Sequence, residues 1–332
     1  VGIGTYLGAE DDATDRSYYH AVSKAVERGG NVIDTAINYR HQRSERVIGL
    51  ALRDLIARGA AKREEVVIAT KGGFVPFDGA APPDPRGYVV DTYIRTGLLT
   101  ADDVAAGCHA IAPKYLADQI ERSRRNMGIQ TLDIYYVHNP ETQLGEVDRP
   151  EFLRRMREAF AVLEQAVVDG AIRMYGTATW NGYRQPPDAA DHLSLEEMVS
   201  CAREVAGEGH HFKVIQLPYN LAMTEAFLRP TQAVDGEMVS TLEAARRLEM
   251  YVMTSASIYQ GQLSRNLPPI VGELLPGLDT DAQRAIQFVR STPGVGTGLV
   301  GMKTVAHVEA NLRVANTPPV PWSEFQRLFH QG

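Results

Sequence analysis

An α/β barrel of eight strands and eight helices, (β/α)8, with extended loops at the face where the strands end, is the fold this sequence predicts. Three observations carry that reading. Short β-branched or apolar runs alternate with stretches of helical period along the 332 residues, and each run closes on a polar or Gly-containing turn. The alternation counts eight of each, as in a closed barrel, which typically takes roughly 250 residues. The surplus falls in a few segments that leave strand ends.

Taken in order, the strand runs are 1–6 (VGIGTY), 31–34 (NVID), 66–70 (VVIAT), 133–137 (DIYYV), 172–177 (IRMYGT), 213–217 (KVIQL), 251–255 (YVMTS) and 298–301 (GLVG). Helical period fills 16–28, 43–58, 114–127, 151–169, 194–207, 237–249, 279–291 and 306–315. The surplus lies at 72–113, rich in Pro, Gly and Asp, and at 180–194 and 259–278; these exceed an ordinary strand-to-helix connection. Segment 72–113 carries Phe74, Phe77, Tyr88, Tyr93, Leu98 and Leu99. Such side chains are costly to leave in water, so it is expected to fold as a lid on the barrel mouth, with a short helix starting at Thr100. No composition break marks a second unit, and 1–332 is read as one domain.

Composition narrows the function classes. The chain is 44% hydrophobic and 23% charged with a formal charge of −7, which disfavours a phosphate-backbone partner. No run approaches the roughly 18–20 apolar residues of a membrane span, and the opening VGIGTYLG lacks a basic n-region, so a cytoplasmic location is expected. Cys108 and Cys201 stand alone without a C-x-x-C and are read as plain buried thiols. His210 and His211 are adjacent, a poor ligand spacing, and are read as a solvated turn; no metal site is expected.

A barrel gathers its strand ends at one face, where catalysis sits. The second run ends in Asp34 with Tyr39 in the loop beyond, the third ends at Lys71, and the fourth ends in His138. Singly, Asp34 could cap a turn, Tyr39 be a loop aromatic, Lys71 a solvated charge and His138 a satisfied core histidine. Jointly, four titratable groups at consecutive strand ends suit proton donation to a carbonyl. A phenol with a pKa of about 10 is a weak acid at neutral pH. Lys71 beside Tyr39 would lower it, Asp34 could hold Lys71, and a neutral His138 could orient the substrate oxygen. Such an acid needs a hydride to meet it, which implies a reduced nicotinamide.

The stretches DTAINY followed by SERVIG, then IATKGG, LDIYYVHNPE, YGTATWNG, VIQLPYNL and LVGMKTVAHVEANL resemble, in order and along almost the whole chain, the signatures of the aldo-keto reductase superfamily. The long loops look closer to its potassium-channel β-subunit and bacterial reductase branch. The resemblance implies an NADPH-dependent (β/α)8 reductase of aldehydes or ketones with the tetrad Asp34, Tyr39, Lys71 and His138. By position it places the cofactor against Thr5, Asp34, Thr179, Gln216, Ser255, Ala256, Ile258, Gln260, Gly261, Gly301, Lys303, His307 and Asn311. Where many members carry Ser-Asn this chain has Ala178 and Thr179; where many stack an aromatic ring it has Ser255; and Ala310 stands where a Glu often contacts the adenine. The chain opens directly in its first strand, without the family's floor hairpin, so it is expected to be trimmed or to close its floor differently.

Two glycine patterns are decoys. Gly296 to Gly301, GTGLVG, matches G-x-G-x-x-G but falls inside the eighth run, with no strand before it and no helix opening within it. VGIGTYLG has the wrong spacing. The competing function classes are a nucleotide-binding sensor or regulatory subunit on the same barrel, distinguished by its lack of turnover, and a metal-dependent hydrolase, disfavoured because no strand end carries His-x-His. A small carbonyl compound is the expected partner, and self-association stays open.

Overall fold

The computed structural model describes residues 1–329. Its strands are β1 (Gly2–Gly4), β2 (Val32–Asp34), β3 (Val67–Gly72), β4 (Leu132–His138), β5 (Ile172–Ala178), β6 (Phe212–Pro218), β7 (Pro230–Val234), β8 (Glu237–Ser240), β9 (Tyr251–Ser255) and β10 (Thr297–Gly301). Eight of them close into a parallel barrel in the order β1-β10-β9-β6-β5-β4-β3-β2, and β7 and β8 form a separate two-stranded sheet. Each expected strand run holds one barrel strand. The helices are α1 (Asp12–Glu27), α2 (Arg43–Ala57), α3 (Pro85–Val89), α4 (Pro113–Met127), α5 (Arg149–Val168) and α6 (Leu195–Ala206). After them come α7 (Glu225–Leu228), α8 (Thr241–Arg247), α9 (Pro269–Leu274), α10 (Asp281–Ser291), α11 (Val305–Leu312) and α12 (Trp322–Phe325).

Side chains alternate across each barrel strand, and that alternation makes two cores. Ala69, Ile134, Tyr136, Ala178, Val214, Met253 and Leu299 fill the barrel interior. Their neighbours Ile33, Ile68, Tyr135, Val137 and Ile215 face outward and pack under the helices. Because strand register is fixed by this two-sided burial, the ends align: Asp34 pairs with Ala69, His138 with Ala178, and Ala178 with Gln216.

Segment 72–113 has a core of its own. Tyr93, Leu99, Ala110 and Tyr115 are buried together, with Val75, Tyr88 and Leu98 against them. Phe77, Tyr88, Tyr93 and Tyr115 follow one another edge-on at centroid distances of 5.3, 6.3 and 5.4 Å. Asp84 caps α3 by accepting from the Gly87 N–H, and the short helix expected at Thr100 is a single 3₁₀ turn over Ala101–Asp103.

One helix is shorter than its period predicts. Residues 237–240 are strand β8, and α8 begins only at Thr241. The reason is the Asp235-Gly236 pair, whose φ values of 54° and 80° make a two-residue hairpin turn between β7 and β8. Two local expectations also fail: Cys108 is exposed while Cys201 is buried. His210 is buried at the entrance to β6, and His211 donates its backbone N–H to Glu164 at 2.7 Å, so the pair does not form a solvated turn. Towards the C-terminus Trp322 packs against Phe227 and Phe325.

Candidate active site

The strand ends build a buried ionic floor. Lys71 Nζ lies 2.6 Å from Asp34 Oδ1, 2.8 Å from the Thr35 carbonyl and 3.4 Å from the Tyr39 hydroxyl. These contacts match the three donors of an ammonium. The other carboxylate oxygen of Asp34 accepts from Gln216 Nε2 at 2.7 Å, and its carbonyl accepts from the Thr5 hydroxyl and the Thr5 N–H, each at 3.2 Å. Lys71 is 1% exposed and Asp34 4%, so the ion pair is held by hydrogen bonds that offset the cost of taking two charges out of water. The Tyr39 ring lies under Lys71 Nζ at 5.0 Å, edge-on to His138 at 5.9 Å and to Tyr6 at 5.0 Å. Phe74, the first aromatic of segment 72–113, also meets His138 edge-on at 5.1 Å.

The electrostatics correct one expectation. Burial pushes the Tyr39 phenol above its ordinary pKa; Lys71 pulls it down, but less than burial raises it. Tyr39 is therefore a protonated phenol at neutral pH and not an acidified one. For Lys71, burial alone would lower the pKa, yet Asp34 and Tyr39 together carry it above the ordinary value. Burial, with Lys71 adding to it, holds His138 well below the usual imidazole range. The imidazole is neutral, as expected.

The remaining candidates lie on the opposite arc, at the ends of β5, β6, β9, β10 and β1. Thr179 follows β5, 4% exposed, and among the described residues its hydroxyl has no hydrogen-bond partner. Its N–H donates to the Gln216 carbonyl at 2.8 Å. Beyond Ser255 the chain turns repeatedly through the left-handed region, with φ of 56° at Ala256, 52° at Gln260 and 90° at Gly261, and Ile258 lies partly buried between them. A Cβ on Gly301 would meet no atom within 4 Å. Lys303 and His307 are exposed, Asn311 is buried, and Thr304 caps α11 by accepting from the His307 N–H. The decoy G-x-G-x-x-G forms β10 itself, as its context implied.

Sequence reasoning missed the supports behind these groups. One oxygen of the buried Glu141 carboxylate accepts from the successive backbone N–H groups of Trp180, Asn181 and Gly182 at 2.8, 3.1 and 3.3 Å, fixing the loop after β5. Burial raises the pKa of that carboxyl and the three N–H groups oppose the rise. His109, at the far end of the lid, contacts the backbone of His138. No spacing rule links these positions; only the place of Glu141 at the end of the LDIYYVHNPE stretch hinted at one of them.

The model of the aldo/keto reductase family matches residues 1–227. The NADH-specific methylglyoxal reductase of Escherichia coli (strain K12) is 28% identical over 183 residues, 54% of this chain and 47% of that protein. The chain spans about a third to a half of the length of the curated relatives it matches first. Among solved structures, the holo form of an aldo-keto reductase from Bacillus halodurans superposes with a TM-score of 0.66 at 18% identity, over 99% of this chain and 91% of that one. An aldo/keto reductase from Klebsiella pneumoniae in complex with NADP and acetate gives 0.63 at 21% identity, over 99% and 89%. These two likenesses concern the fold.

Proposed function

This chain belongs to the aldo/keto reductase family of oxidoreductases, and we propose that it reduces an aldehyde or ketone to the alcohol with NADPH, Tyr39 donating the proton. The observation that carries the reading is the sharing of Lys71 Nζ between Asp34 and the Tyr39 hydroxyl beneath a neutral His138 ring. Reduced nicotinamide, when bound, supplies a hydride to the carbonyl carbon. The chain's own groups handle the oxygen. A carbonyl oxygen seated between the Tyr39 hydroxyl and His138 accepts hydrogen bonds from both, which polarises it. As negative charge grows there the phenol proton moves across, and Lys71 stabilises the phenolate left behind. Asp34 keeps Lys71 in place and cationic through the cycle.

Support for a nicotinamide cofactor comes from the opposite arc. The unpartnered Thr179 hydroxyl and the Gln216 amide are suited to the carboxamide, and the open surface at Gly301 to the sugar-phosphate chain. Lys303 and the N-terminus of α11 would hold the 2′-phosphate that separates NADPH from NADH. The Escherichia coli relative is described as NADH-specific, so the preference must be measured on this chain.

The experiment is Tyr39→Phe, assayed with a panel of small aldehydes and ketones beside NADPH titration. Turnover should fall by about 10²- to 10⁴-fold, the usual worth of a general acid, with cofactor affinity unchanged. A variant that turns over at the parent rate would show that another group is the acid.

A further inference from the structure

We propose that His109, on the lid segment and separate from Asp34, Tyr39, Lys71 and His138, is the positioning residue for His138, acting on its backbone carbonyl. The inference rests on the carbonyl-reductase reading, in which His138 orients the substrate oxygen.

A histidine that must point one nitrogen at a substrate is ordinarily steadied by a hydrogen bond to the other. His138 is not: among the described residues its Nδ1 is buried without a partner. Its orientation must come from the backbone and from the rings against it, Tyr39 and Phe74. The backbone is unusual there. His138 ends β4, and Asn139 turns left-handed at φ 45°, a conformation that costs a non-glycine residue free energy unless neighbouring contacts fix it. The Asn139 N–H donates to the Ala178 carbonyl at 2.6 Å, while the carbonyl of His138 lies 2.7 Å from His109 Nε2.

The rest of the chain of contacts settles which atom donates. Arg155 Nη1 donates to Gln143 Oε1 at 2.7 Å, so the amide of Gln143 presents its NH2 to His109 Nδ1 at 2.9 Å. With Nδ1 accepting, the proton sits on Nε2 and is donated to the His138 carbonyl. Full burial lowers the His109 pKa to about 4, so the ring keeps this neutral form at ordinary pH. Arg155 also donates to the Asp102 carbonyl at 3.0 Å, which ties the 3₁₀ turn of the lid into the same series. Gly73 leaves the room for it. Its φ is +140°, and a Cβ there would stand 2.9 Å from His109 Nε2 and 3.0 Å from the His138 carbonyl. The lid therefore reaches the reacting groups twice, through the Phe74 ring and through this hydrogen bond.

The test is steady-state kinetics of His109→Leu and His109→Gln, each alone and combined with His138→Ala, with NADPH affinity measured alongside. His109→Leu should lower kcat by about 10- to 100-fold, the scale of a small misplacement at a reacting centre, with NADPH affinity unchanged. His109→Gln, whose side-chain amide still donates to the carbonyl, should recover most of that loss. In the His138→Ala background, His109→Leu should cost nothing further. Equal losses with and without His138, or parent kcat in His109→Leu, overturn the proposal. Where the His138→Ala rate falls below detection, the rescue decides: failure of His109→Gln to exceed His109→Leu overturns it. If His109→Leu does not fold, Gln143→Leu, which removes the acceptor's partner, takes its place and should lower kcat without altering NADPH affinity. Parent activity in Tyr39→Phe would instead overturn the underlying function reading, leaving the two failures distinguishable.

Discussion

The two arcs of the barrel mouth are built to different rules. On the β2, β3 and β4 side, Lys71 and both carboxylate oxygens of Asp34 are engaged, and the contacts follow from strand register. On the β5, β9 and β10 side the groups lie on loops: the Thr179 hydroxyl is unpartnered, and residues beyond Ser255 run through left-handed turns. The contrast separates the Lys71–Asp34 pair, satisfied within the folded chain, from the arc that, on the proposed reading, a bound cofactor would complete. Strand ends place a charge to a fraction of an ångström, whereas loops leave polar atoms and room for a ligand to satisfy.

The sharpest way to break this division is at Lys71. Lys71→Met should cost turnover about as much as the loss of Tyr39, roughly 10²- to 10⁴-fold, because nothing then stabilises the phenolate. The buried Asp34 left unpaired should also lower folding stability by about 3–5 kcal/mol, read by denaturant unfolding. Cofactor affinity should hold; a parallel drop in NADPH binding would mean that the arcs are one unit.

Next in size is the pH dependence of stability. His109 has its pKa lowered from 6.5 to about 4, so the unfolded chain binds a proton between those values that the folded chain refuses. Stability contributed by this group is present above pH 6.5 and is lost as pH falls toward 4, on the order of a few kcal/mol. The lowered pKa of His138 acts in the same direction. Unfolding His109→Gln at pH 7 and pH 4.5 should show a shallower loss than the parent; identical slopes would mean that His109 is not buried as a neutral ring.

A smaller effect is expected on the loop arc. Lys303→Ala should weaken NADPH by about tenfold, the worth of one phosphate contact at about 1.4 kcal/mol, and leave NADH unaltered. Equal losses for the two cofactors would remove Lys303 from any phosphate role. Smallest is the lid. Replacing 76–88 by a short Gly-Ser turn removes the Pro76 carbonyl that accepts from the Tyr93 hydroxyl, and should change KM and substrate choice while sparing NADPH affinity. A change in oligomeric state with every KM intact would make the lid an interface.

The sequence made the strand arc legible because a strand buried on both sides must be a short β-branched run, and the polar residue closing that run lands at the mouth: Asp34, Lys71 and His138 each stand at or beside such an end. It did not reveal the β7–β8 hairpin, where the residues that follow the Asp-Gly turn also fit a helical period. Nor could it reveal the sign of the Tyr39 shift, since the lysine is a neighbour in the motif whereas the burial that outweighs it comes from the whole surrounding fold. The His109 contact joins residues 29 apart with no repeating pattern, and only packing brings them together.

The backbone clasp of Glu141 on Trp180 also gives the molecule a built-in optical probe. The sequence has 2 tryptophans: Trp180, held by its N–H at the mouth and 42% exposed, and Trp322 against Phe227 and Phe325. With Trp322→Phe, all indole emission would come from the loop after β5. Reduced nicotinamide absorbs where indole emits, so each binding event would be seen as energy transfer from that single ring, without any label and before any turnover.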